Sequence, residues 1–133
     1  MKTYTITLTE PQMRVTQAAL EEYFRLRMGQ DMDFSEDMAM IGRDLSPDNP
    51  NHDRIFGGCM TRRDHLRELM RAFFRIAFEP TGYLEHKTDE MMIAECIWDA
   101  MRFARGISRW DKPFAIGPEP VPKITVTEDK DDA

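Results

Sequence analysis

The feature that most constrains the fold is a series of segments whose apolar residues recur at helical spacing between helix start and stop signals. The clearest segment begins at Thr9, which forms a capping-box pattern with Gln12, and it ends at Gly29. Pro11 fits this pattern because the first turn of a helix tolerates the loss of an N–H. We predict a helix here, and a central one, because apolar residues occupy more than one of its faces.

Three further segments predict helices of the same kind. A shorter helix is expected over residues 34–45, followed by a loop rich in Pro, Asn and Asp. The third is expected to begin after Thr61 and to end near Phe78, and the fourth is expected to run from a Thr88 cap to Gly106. The aromatic residues on these helices are predicted to lie in the core: Phe73, Phe74, Phe78, Trp98 and Phe103.

Both ends of the chain show a different periodicity. Residues 2–8 alternate threonine with apolar side chains, and the segment KITVTE at 123–128 repeats that pattern. An isolated strand needs a partner, so the two strands are expected to pair with each other or across subunits. The predicted fold is therefore mainly α (α+β), a compact bundle of about four helices with short N- and C-terminal β-strands. Between the last helix and the last strand, residues 110–122 are expected to form an extended strap.

Length and charge narrow the class of protein. A chain of 133 residues fits one globular domain, expected over residues 1–127, with an acidic disordered tail at 128–133. The net charge is −6, of which the tail contributes −3 through four acidic residues and one lysine. Because neither part is basic, general nucleic-acid binding is disfavoured. The absence of a long apolar run or a leader-like N-terminus predicts a cytoplasmic protein with no membrane partner.

One short stretch, IFGGCMTRRDH at 55–65, is the strongest candidate for a binding site. If Thr61 caps the third helix, Arg62 and Arg63 lie in its first turn, where the helix dipole disfavours cations. A bound phosphate would resolve that conflict, because Gly57 and Gly58 permit close backbone approach and arginines bind phosphate in a fork. The alternative is that both arginines are solvated or pair with acids such as Asp64 or Glu68.

Four other residues are weaker candidates for ligand contacts. Arg25 and Arg27 fall near the end of the first helix, where cations also suit the helix dipole, and Gln30 follows directly after it. Trp110 lies in a polar context after the fourth helix, where it could close a pocket, pack on the strap or line a subunit contact.

Catalytic and metal sites are not favoured by the sequence. His52, Cys59 and His65 match no zinc-ligand spacing, and a Cys59–His65 pair lacks an identifiable third member. Glu95 and Asp99 lie four residues apart on the fourth helix, as ordinary surface carboxylates do. We therefore expect no metal, no cofactor and no catalytic residue.

Two segments resemble a family of small, largely uncharacterised proteins carried by bacteriophages and prophages. The resemblance is carried by ITLTEPQMRVTQAALEEYFRLRMGQ near the start and IAECIWDAMRFARGISRWDKP near the end, which together cover about a third of the chain. It implies an accessory protein acting in the cytoplasm of a bacterial host. By analogy with compact phage proteins that counter host defence, it also suggests sequestration of nucleotide immune signals.

Taken together, the sequence favours a non-enzymatic, homo-oligomeric protein that captures a phosphorylated small molecule. One alternative is a protein-interaction module that inhibits a host protein through a Met-rich or acidic surface. Another alternative is an enzyme that cleaves a nucleotide signal, which the few histidines argue against.

Overall fold

The computed structural model describes residues 1–30, 32–39, 48–53, 58–79, 84 and 86–128. In this part of the chain there are four helices: α1 (Glu10–Arg27), α2 (Met32–Ala39), α3 (Cys59–Ala77) and α4 (Asp89–Ala104). The prediction of a mainly helical protein with about four helices is confirmed. The chain divides into two compact units, one formed by Met1–Phe24 with Thr88–Ala133 and the other by Arg25–Lys87.

The ends of α1 form as their residues predict. The Thr9 N–H donates to Oε1 of Gln12 at 2.8 Å, and the Gln12 N–H donates to Oγ1 of Thr9 at 3.4 Å, which is the reciprocal capping box. At the other end Gly29 adopts a φ of +82°. The Gly29 N–H then bonds to the Leu26 carbonyl and the Gln30 N–H bonds to the Arg25 carbonyl, which together form a Schellman C-cap.

The ends of α4 are fixed in the same way. Oγ1 of Thr88 accepts a hydrogen bond from the Met91 N–H at 3.3 Å, so the predicted N-cap is confirmed. Gly106 follows the helix with a φ of +71°, and the N–H groups of Gly106 and Ile107 bond back to the last turn. The chain therefore reverses sharply after α4.

The core of the first unit is centred on α4. Its buried residues are Met91, Ala94, Cys96, Trp98, Asp99, Ala100 and Met101. On α1, by contrast, Phe24 is the one buried residue, and Val15 is exposed. The predicted central position of α1 is therefore wrong. Met13 and Leu20 are half-buried, so the apolar side chains of α1 are only partly covered before Phe24.

Two contacts hold α1 against α4 within this unit. The Phe24 ring meets Trp98 edge to face, with 5.3 Å between ring centroids. Nearer the start of α1, the Arg105 guanidinium bonds to Oε1 of Glu10 at 2.9 Å and to Oε1 of Gln17 at 2.7 Å. Since Arg105 is the C-cap residue of α4, this fork ties the end of one helix to the side of the other.

In the second unit α2 packs against α3. Ser35 and Phe74 are buried, and Phe74 stacks on Phe78 with 5.7 Å between ring centroids. Phe73 lies on another face of α3 and is exposed, as is Phe103 on α4, so the prediction that both lie in the core is wrong. Adjacent helix positions point about 100° apart, so the two neighbouring phenylalanines lie on different sides of α3.

The terminal strands are not seen. Residues 1–9 and 121–128 form no β-ladder within the described part of the chain, and Tyr4, Ile6 and Val126 are exposed. Strand pairing therefore stays a prediction that needs a partner. The acidic tail falls almost entirely outside the described residues, as does the end of the helix expected over 34–45. Among the helices described, none has the length and apolar character needed to cross a membrane.

Candidate functional site

A pocket of about 210 Å³ opens beside the last two turns of α4. It is lined by Trp98, Asp99, Arg102, Ser108, Arg109 and Trp110. Trp98 and Asp99 lie four and three residues before Arg102, so these three side chains share one side of α4. The other three lining residues follow the turn at Gly106. The reversal at Gly106 is thus what brings these two sets of side chains together.

The strap, residues 110–122, begins at the pocket with Trp110 and runs back along α4. The Phe114 N–H donates to Oδ2 of Asp99 at 2.8 Å, and the Cys96 thiol donates to the Phe114 carbonyl at 3.4 Å. Farther along, Gly117 adopts a φ of +82° and lies directly against Met92. The strap therefore meets α4 at progressively earlier residues, and Trp110 at its start is held near the pocket by an edge contact with Phe114.

Asp99 is 2% exposed, which corrects the expectation of an ordinary surface carboxylate. A buried carboxylate needs compensating hydrogen bonds, and the backbone N–H of Phe114 supplies one. The result is a charged group that holds the strap in place and also lines the pocket.

Arg102 links the helix to the turn. Its guanidinium carbon lies 4.7 Å from the centroid of the Trp98 ring, and its Nη2 donates to the Ile107 carbonyl at 3.2 Å. Its Nε is buried and has no hydrogen-bond acceptor among the described residues. The guanidinium is thus positioned over an aromatic ring with a donor still to satisfy.

These side chains provide two kinds of chemistry. Arg102 and Arg109 carry positive charge against one buried negative charge, so the pocket favours an anion. The two indoles offer flat apolar surfaces, one buried and one 60% exposed at Trp110. The volume lies below the usual 300–1,000 Å³ of drug-sized ligand sites, so only one ring or one phosphate group fits inside.

The glycine–arginine site predicted from the sequence has a different local geometry from the one expected. α3 begins at Cys59 with Gly58 as its N-cap, so Thr61 lies inside the helix and the predicted Thr61 cap is wrong. Gly58 has a φ of −99°, and the N–H of Arg62 already bonds to the Gly58 carbonyl at 3.0 Å. The two arginines therefore lie at the end of the first turn, where the dipole conflict is weaker.

Their side chains have ordinary surroundings. Arg63 pairs with Asp64 at 3.0 Å, as the alternative interpretation expected. Thr61 and Arg62 both lie at the surface of the helix. Gly57 lies outside the described residues. The assignment of this segment to a phosphate therefore stays a prediction.

The weaker candidates separate into two groups. Nη1 of Arg25 donates to Oε1 of Gln30 at 2.8 Å, across the turn made by Gly29, so these two side chains do meet. Arg27 is exposed at the end of α1. Trp110 instead belongs to the other compact unit, where it lines the pocket beside α4.

Sequence reasoning missed Arg102, Ser108 and Arg109, and it placed Trp98 only in the core. The available signal was the combination of a glycine C-cap with the polar segment SRWD that follows it. Such a turn returns the next residues to the last turns of the helix, so Arg102 and Arg109, on either side of Gly106, line the same pocket.

Metal ligands do not cluster among the described residues: no group of three or more His, Cys, Asp or Glu is found there. Cys96 is a buried thiol, and His52 lies beside the neighbouring carboxylate of Asp53. Comparison with protein-family models, with curated proteins and with solved structures gives no match to this chain.

Proposed function

We propose that this protein binds a small phosphorylated molecule that carries a flat ring, such as a nucleotide, in the pocket beside the end of α4. The observation that carries this proposal is the meeting of two guanidinium groups and two indole rings around one opening. Either kind of group alone would be ordinary. Together they match the two chemical parts of a nucleotide.

Each side chain has a distinct part in the proposed complex. Arg109, at the exposed rim, contacts the phosphate, and the Nε of Arg102 supplies a further donor from inside. The exposed ring of Trp110 stacks on the base. Asp99 accepts a hydrogen bond from an N–H of the ring, which gives the site a preference among bases.

The size of the pocket limits the ligand. With about 210 Å³ available, the pocket holds the ring of the ligand, and the phosphate lies at the rim beside Arg109. We therefore propose a mononucleotide-sized ligand that is held by its ring inside and by its phosphate at the rim, rather than a ligand that is enclosed.

This site replaces the N-terminus of α3 as the first candidate, but the class of ligand is the one that the sequence favoured. In this proposal the protein is a non-enzymatic binder. Its resemblance to phage accessory proteins makes sequestration of a host nucleotide signal in the bacterial cytoplasm the biological role we propose.

Tryptophan fluorescence tests the site directly, because the chain has two tryptophans and both line the pocket. The protein is titrated with nucleoside monophosphates, with the matching nucleosides and with inorganic phosphate. We expect quenching by the monophosphates, and weaker or no quenching by the nucleosides or by phosphate alone, because each lacks one of the two recognised parts.

Two variants distinguish the two candidate sites. Arg109→Ala should weaken binding by roughly 10- to 100-fold, the value of one or two hydrogen bonds to a charged group. The control is the double variant Arg62→Ala with Arg63→Ala, which removes two arginines from α3 and should leave the affinity unchanged. The opposite pattern would assign binding to α3, and no binding by any nucleotide would refute the proposal.

A second function is favoured by a different observation, the exposed apolar residues Leu69, Phe73 and Ile76 of α3. An apolar surface of this kind suits a protein-interaction module. Recovery of a stoichiometric host protein from lysate by a chain that is monomeric on its own, with the recovery lost on replacing Phe73, would support that function. An enzyme would instead be recognised by the time-dependent disappearance of the nucleotide, measured by chromatography of the mixture of protein and nucleotide.

A further inference from the structure

One face of α3 is apolar and exposed. Leu69 is 70% exposed, Phe73 is 64% exposed and Ile76 is 77% exposed. Their spacing of four and then three residues places them in one row along the helix, with Ala72 beside them. We call these four residues the outer row.

The outer row is not the face by which α3 joins its own unit. α3 packs against α2, and its buried side chain is Phe74, whereas the outer row is exposed. Because successive residues are about 100° apart, Leu69, Ala72 and Ile76 point away from Phe74. Phe73 lies at the edge of the row, where its ring meets that of Phe74 edge to face with 5.9 Å between centroids and still remains largely exposed. Exposed large apolar side chains cost free energy when they cluster, and such clusters mark interaction sites.

The charges beside the outer row have a specific pattern. Glu68 and Arg75 are seven residues apart, so they lie on the same flank, about two turns from each other. Both are exposed. When two identical helices pack antiparallel, the same flanks of both helices face each other, so Glu68 of one copy lies level with Arg75 of the other.

We propose that α3 packs antiparallel against α3 of a second copy of this chain, with the outer row as the shared interface. The two-fold axis passes between residues 71 and 72. It brings Leu69 of each copy next to Phe73 of the other, and it forms the Glu68–Arg75 pair twice. This interface goes beyond the proposed ligand site and does not depend on it.

The charge pattern selects this arrangement over a parallel pair. In a parallel pair opposite flanks meet, so Glu68 and Arg75 would have no charged partner of the opposite sign at the same level. In the antiparallel pair the Glu68–Arg75 contact, formed twice, gives each residue a partner of opposite charge. Such self-complementarity is what a two-fold interface requires.

Sedimentation velocity over a broad range of protein concentration tests the association. We expect the unchanged protein to be a dimer and Phe73→Glu to be a monomer with the same far-UV circular dichroism. Val15→Glu is the matched control, because Val15 is an exposed apolar residue on α1, and this variant should remain a dimer. A monomeric unchanged protein, or a dimer that Phe73→Glu leaves intact, would overturn the proposal.

Charge reversal tests the register even if Phe73→Glu unfolds the protein. Glu68→Arg and Arg75→Glu should each weaken the dimer by roughly tenfold, because each creates two like-charge contacts. The double variant should restore the affinity. If the losses of dimer affinity in the two single variants simply add in the double variant, the proposed pairing is ruled out.

Chemical cross-linking tests the direction of the helices in a background that carries Cys59→Ser. Ala72→Cys lies next to the axis, within reach of a bismaleimide spanning the roughly 8–10 Å between packed helices. His65→Cys, on the same side of α3, would lie roughly 20 Å along the axis from its copy. We expect only the first to cross-link. Cross-linking of both would indicate a parallel pair and overturn the proposal, and failure of both would overturn the interface.

Discussion

Replacing Gly117 by alanine should loosen the strap, and the expected magnitude follows from two separate costs. Gly117 has a φ of +82°, and a Cβ built on it would lie 2.8 Å from Cβ of Met92. The positive φ costs an L-residue about 1–2 kcal/mol. Since the clash involves the first carbon of the Met92 side chain rather than its flexible end, the strap itself has to move, which adds about 1–3 kcal/mol.

Gly106 offers a matched control that separates these costs. Its φ of +71° is similar, but nothing lies within 4 Å of the position that a Cβ would take. Gly106→Ala should therefore lower the free energy of unfolding by the backbone cost alone, about 1–2 kcal/mol, and Gly117→Ala by about 2–5 kcal/mol.

Urea unfolding of both variants, followed by tryptophan fluorescence, measures the two free energies of unfolding. In the Gly117 variant the emission in the absence of urea should also shift, because Trp110 lies at the start of the displaced strap. Equal losses of stability in the two variants would refute the inference that the strap packs tightly on α4.

Two further predictions follow from the caps and from the buried carboxylate. Thr88→Ala should lower the free energy of unfolding by about 1 kcal/mol because it removes the N-cap of α4, whereas Thr61→Ala, inside α3, should have no such cost. Urea unfolding measures both variants. Equal losses would contradict the assignment of α3 to Cys59–Ala77. Asp99→Ala should cost about 1–3 kcal/mol because it leaves the Phe114 N–H without an acceptor. Asp99→Asn keeps an acceptor and should cost less in the same assay, so a larger loss for Asn would contradict this role of the carboxylate.

Local signals predicted local structure well. The capping pattern of Thr9 with Gln12, the Thr88 cap and the glycines that end α1 and α4 all act within a few residues, and the structure confirms each of them. The start of α3 was mispredicted because Gly58 caps a helix without any side-chain bond, and the sequence offered Thr61 as the better capping residue.

Burial and the candidate pocket depend on contacts between distant residues, and the sequence predicted them less well. Phe73 and Phe74 are adjacent and chemically identical, and which one is buried depends on how α3 packs in the fold. Trp110 was recognised as a possible pocket residue. Its neighbours Arg102 and Arg109 were not, because their proximity depends on how the chain turns after Gly106.

The division of the chain into two units has a consequence for its synthesis on the ribosome. The first unit is assembled from both ends of the chain, and the second unit, Arg25–Lys87, is inserted between them. After Phe24 has been made, about 60 more residues must follow before α4 can begin, which takes roughly 3–12 s at ordinary elongation rates. During that interval Phe24 of α1 has no Trp98 to pack against.

The inserted unit can meanwhile close on itself, and the hydrogen bond from the Leu84 N–H to the Met28 carbonyl then joins its two ends. The insertion thus shortens the loop that the two ends of the chain must close, so a slowly folding variant of α3 should delay the pairing of α1 with α4.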